Sequence, residues 1–106
     1  MKMLVVIVQS KDSNRLRKAL TAAHIQMTQL STTGGFLREG NATFLIGIED
    51  DRVQDVLDVI KKNAKSREQY ITSQMHDVEG GSALPVNVKV GGATVFVLPV
   101  DQFIKF

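Results

Sequence analysis

The chain's best material for chemistry lies between positions 32 and 41: Thr32, Thr33, Gly34, Gly35, Phe36, Leu37, Arg38, Glu39, Gly40 and Asn41. A turn chosen for geometry alone uses small polar residues, yet this one sets Phe36 and Leu37 between glycines. An aromatic ring beside flexible backbone can stack on a planar ligand, while the N–H groups of Gly34 and Gly35 meet an anion or a base edge. Asn41 carries a donor and an acceptor side by side, the pair that matches an adenine edge. Thr28, Thr32 and Thr33 bring hydroxyls nearby. Phe36 and Leu37 fit equally well as anchors of a protein interface, and both readings stay open. The segment lacks the lysine–serine ending of a Walker A loop and the glycine spacing of a Rossmann fingerprint.

Other candidates are poorer. His24 and His76 are far apart and have no helical partner at i+4, so they read as surface or interface histidines rather than metal ligands. Glu49, Asp50 and Asp51 suit a helix N-terminus, and Asp55 with Asp58 suits a solvated helix face. No serine finds a histidine and an acid at a workable spacing. The chain is therefore expected not to be an enzyme and to need no metal or cofactor. Gly47 interrupts an apolar strand, which implies close approach of either a neighbouring backbone or a ligand. Gly91 and Gly92 form either a plain turn or part of the same wall.

These residues need a small scaffold, and the bulk numbers describe one. A length of 106 residues fits a single domain over the whole chain. The charged fraction of 23% and the hydrophobic fraction of 43% are those of a globular protein. A net charge of +2 without a basic block gives no case for a nucleic-acid polymer. The chain has no cysteine, which excludes disulfides and thiolate chemistry and suits a cytoplasmic setting. Its longest apolar run, residues 3–8, is far short of the roughly 20 needed for a membrane span. No basic leader precedes it.

Hydrophobic spacing orders the elements. Residues 3–8 read as a strand apolar on both faces. Leu16, Ala19, Leu20 and Ala23 fall at i, i+3, i+4 and i+7, one helix face, with Asp12 or Ser13 as its N-cap. Residues 25–31 resume a strand pattern and 42–48 form another strand. Val53, Val56, Leu57 and Ile60 repeat the helical stripe behind Asp50 and Asp51. Residues 66–84 look like a long connection broken by Gly80 and Gly81, after which 86–90 and 94–98 are strands. The expectation is an α+β, ferredoxin-like βαββαβ sandwich. Two helices cover one face of its sheet, so the second apolar face calls for partner subunits or for the long loop folded back.

The run from Thr32 to Arg38, followed by Gly40, Asn41, Ala42, Thr43 and Phe44, resembles the PII-like cyclic-di-AMP receptors of Gram-positive bacteria, the PstA type. So do Met1-Lys2-Met3, Asp50-Asp51-Arg52-Val53, Arg67-Glu68-Gln69 and the stretch from Gly91 to Val97. The likeness runs end to end, with residues 70–85 divergent. It implies a homotrimer with cyclic-di-AMP held between neighbours and a downstream protein partner of unknown identity. It makes 32–41 the T-loop and 66–85 the B-loop of a single PII-like domain. The implied ligand-binding residues are Thr28, Gly35, Phe36, Leu37, Asn41, Gly47 and Phe96, with His24 and Gln26 at two further site positions. Relatives carry asparagine and arginine where this chain has His24 and Gln26, and a glutamine where it has Lys105. Loss of a cation beside a phosphodiester removes about 1.5–3 kcal/mol. That is roughly 10- to 100-fold in affinity. A trimeric interaction protein with a weakened or changed nucleotide site is thus the alternative.

Overall fold

The computed structural model describes residues 1–30, 40–72 and 85–106. Strand β1, Lys2–Gln9, pairs antiparallel on one side with β3, Asn41–Ile48, and on the other with β6, Ala93–Pro99. The short β2, Thr28–Leu30, pairs antiparallel with β3 and completes a sheet of order β2-β3-β1-β6. Helices α1, Ser10–Ala22, and α2, Val53–Ala64, pack side by side and against the sheet. This is an α+β architecture compatible with the ferredoxin-like expectation. It carries an addition: β4, Arg67–Thr72, and β5, Pro85–Val90, form a separate antiparallel hairpin between α2 and β6. The stretch read as a connection from residue 66 therefore opens as a strand. Arg67, Glu68 and Gln69 hid its period because their partner strand lies beyond residue 84.

Strand alternation and helix periodicity build one core. Leu4, Val6 and Val8 of β1 and Phe44, Ile46 and Ile48 of β3 are buried against Leu16 and Leu20 of α1 and Val56, Ile60 and Ala64 of α2. Each of these side chains larger than Ala64 stabilises the fold by about 1.5–3 kcal/mol relative to exposure. The intervening residues of the same strands point to the opposite face, as a period of two requires.

Helix α1 starts at Ser10, ahead of the expected caps, and its N-cap Gln9 makes no side-chain capping bond. The Ser10 N–H donates instead to the carbonyl of Gly40 at 2.6 Å, a tertiary solution to an orphan donor. Asp12 is buried, and its Oδ1 accepts from Arg15 Nη2 at 3.0 Å and Arg67 Nη2 at 3.2 Å. Arg15 also donates to the carbonyl of Asn63, at 3.1 Å from Nε and 2.6 Å from Nη2. The acid thus ties α1 and α2 to the start of β4. The same end of the hairpin is fixed on its second strand by Gly91, whose N–H donates to Gln9 Oε1 at 3.0 Å, and by Gly92, whose N–H donates to the Ala64 carbonyl at 2.6 Å. Gly91 has φ +79°, and a Cβ there would lie 2.9 Å from the Lys65 carbonyl oxygen, so both conformation and space favour glycine.

Candidate functional site

The C-terminus of α1 sets the first wall of the site. His24 has φ +59°; its N–H donates to the Thr21 carbonyl at 3.0 Å and the next N–H, of Ile25, to Leu20 at 2.9 Å. Those two bonds are a Schellman motif with His24 at the left-handed C′ position, a place usually held by glycine or asparagine. Buried Ile25 against buried Leu20 adds the apolar contact that accompanies it. The chain then turns into β2, bringing Gln26 and Thr28 alongside β3, where Thr28 pairs with Leu45.

The result is an open depression of about 700 Å³ lined by His24, Gln26, Thr28 and Gly47, together with Met1, Thr21, Ile25, Met27, Leu45 and Phe103. Four of the sequence-predicted residues are therefore neighbours, although position 47 is far from the other three in the chain. At Gly47 an added Cβ would meet nothing within 4 Å. Among the described residues no backbone crowds it. Phe103 was missed because it follows the last strand in a stretch with no periodic signal. Met1 joins through β1, which pairs along the whole of β3. Its amine lies 2.9 Å from Asp50 Oδ1. That hydrogen bond is the main cause holding the Asp50 carboxyl below its ordinary range.

Asn41 lies elsewhere. It opens β3 opposite Gln9 and lines a second groove, of about 360 Å³, with Ile7, Val8, Ser66 and the Gly91–Thr94 stretch. Gly91 and Gly92 thus serve both as a turn and as a groove wall. Phe96 stands on the face opposite the helices, level with Val5, and is 52% exposed. Lys105 is exposed in the segment after β6. Gly35, Phe36 and Leu37, and with them His76 and most of both expected loops, lie outside the described residues. Among the described residues no group of three His, Cys, Asp or Glu is placed to hold a metal ion. No described helix is long and apolar enough to cross a membrane.

The open face on which these residues sit is apolar. Met3, Val5 and Ile7 of β1, Leu30 of β2, Leu45 of β3, and Phe96 and Leu98 of β6 share it by register. Met3, Leu30, Phe96 and Leu98 are all exposed. Thr43 also lies there, buried, its Oγ1 without a hydrogen-bond partner among the described residues.

A family model described as the cyclic-di-AMP receptor matches residues 1–106, the full length of the chain. The chain belongs to the cyclic-di-AMP receptor family. A solved structure similar to this receptor is a protein from Pediococcus pentosaceus ATCC 25745, described as functionally unknown. It is 48% identical, covers 99% of this chain and 96% of its own, and superposes with a TM-score of 0.79.

Proposed function

We propose that the chain is a cytoplasmic, PII-like signal-transduction receptor that binds cyclic-di-AMP in clefts between the subunits of a homotrimer. One observation carries the intersubunit part. Asn41 and Gly47 sit at opposite ends of one extended strand, about 20 Å apart at roughly 3.3 Å per residue. Side chains so separated cannot share one purine within a single chain. A site that uses both closes when the Asn41 end of one copy meets the Gly47 end of another. The apolar open face supports the same reading, because it supplies the surface that copies would bury.

In this arrangement Phe36 and Phe96 contact the adenine rings, Asn41 reads a base edge and Thr28 holds a phosphate. Gly47 admits the ligand to the sheet, and Gly35 and Leu37 complete the loop wall. His24 and Gln26 border the phosphates. Ligand binding reorders the loops at 32–41 and 66–85 and changes their contacts with a protein partner. No bond is made or broken in the ligand.

Light scattering should give three subunits per particle, and cyclic-di-AMP should raise the melting temperature. Asn41→Ala should remove that rise while leaving the unliganded melting temperature in place. A monomer with the fold intact, or no shift at saturating ligand, rejects the proposal. A second reading, a trimeric interaction protein with a weakened nucleotide site, is favoured by Gln26, which lines the depression where, among the described residues, no lysine or arginine does. Gln26→Arg separates the two: binding that arises only in that variant supports the second.

A further inference from the structure

The depression that gathers His24, Gln26, Thr28 and Gly47 is poor in fixed positive charge. Among its lining residues the His24 imidazole and the Met1 amine are the groups able to carry one, and the amine is engaged by Asp50 at 2.9 Å. The end of α1 borders the same space through Thr21 and His24, and the last turn of that helix holds no basic side chain.

The backbone also fixes where the imidazole starts. His24 is held at φ +59° by the two Schellman bonds, with Ile25 anchored in the core. Its side chain is exposed and leaves the backbone in a set direction. A charge contact made from this position loses little backbone freedom on binding.

We propose that protonated His24 is the anion contact of this site, so that affinity for cyclic-di-AMP rises as the pH falls through the imidazole range. The proposal rests on the receptor reading above. Imidazole is the side chain whose charge ordinarily changes between pH 5 and 8. A phosphodiester beside it favours the charged form, so the complex takes up a proton and binding tightens toward acid. Each unit by which the ligand raises the imidazole pKa gives tenfold in affinity.

The other charges around the depression act differently. Lys2 and Asp50 flank the Met1 amine. Arg52 donates to the Ala23 carbonyl at 3.2 Å and lies 3.9 Å from Asp55. Asp101 and Lys105 stand two residues either side of Phe103. Arginine, lysine and carboxylate side chains ordinarily keep their charge between about pH 5.5 and 7.5 and set a constant background. An α-amino group titrates near the top of that range, so a His24 variant is needed to assign the slope.

Calorimetric titration of the intact protein with cyclic-di-AMP should give a Kd about tenfold lower at roughly pH 5.5 than at pH 7.5. His24→Asn keeps a residue that tolerates the left-handed position and should bind with little dependence on pH. A wild-type Kd that is flat with pH, or a slope that survives in His24→Asn, overturns the proposal while leaving the receptor reading standing. Absence of binding at every pH, in both proteins, overturns the receptor reading and this proposal with it.

Discussion

The two faces of the central sheet are made by the same strands from alternate residues, and they have opposite fates. On one face Leu4, Val6, Val8, Phe44, Ile46 and Ile48 are buried by two helices of the same chain. On the other, Met3, Leu30, Phe96 and Leu98 remain exposed, although their residue types are as apolar. The lesson is that hydrophobicity alone does not mark an interior. A covered face stabilises the fold, whereas the other leaves apolar surface open, and the candidate site lies along the open one.

Truncation on either face tests that division most strongly. Phe44→Ala should destabilise the subunit by about 3–5 kcal/mol, read as a lowered denaturation midpoint. Phe96→Ala should leave the subunit fold in place and act on subunit assembly and ligand affinity. Equal effects of the two on folding of a dilute single subunit would break the comparison. Next in size, Gly47→Leu should fill space on the open face without straining the chain. Its unliganded melting temperature should hold, while cyclic-di-AMP affinity falls about 100-fold, close to 2.7 kcal/mol. Retained binding would remove Gly47 from the site.

Smaller effects sharpen the boundary between fold and site. His24→Gly relieves a left-handed non-glycine residue, worth about 1–2 kcal/mol, against about 0.5–1 kcal/mol for glycine's added unfolded-state freedom, so it should stabilise the fold slightly in chemical denaturation. Destabilisation would show that the imidazole makes a structural contact. The smallest effect belongs to Asp50, at the rim, whose carboxyl is lowered by its hydrogen bond from the Met1 amine. A lowered native value contributes stability above the unfolded carboxylate range, and that contribution disappears as pH falls through the native value. Wild type and Asp50→Asn should therefore differ slightly near neutrality and converge in acid. A difference that grows toward acid would contradict the contact.

Much of this was legible beforehand because its signals are local. The stripes ending in Leu20 and Ile60, and the doubly apolar runs of β1 and β3, state their own burial. Thr28 and Gly47 were named for their chemistry and His24 and Gln26 through the family resemblance, and the four line one depression. Asp12 and Ser13 misled because a good capping residue was drawn instead into a buried ion pair and an i to i−3 hydrogen bond. Arg67–Thr72 was hidden because a strand made of charged and polar residues shows no period until its partner is known.

The sequence by itself determined the two helices, the apolar strands and the family, since each depends on residue type and near-neighbour spacing. Tertiary structure alone decided the strand order, the hairpin between α2 and β6, and the place of Phe103 beside His24, Thr28 and Gly47. Those follow from which segments pair across long stretches of chain, and pairing is fixed by the collective burial of a whole face rather than by any residue's own preference.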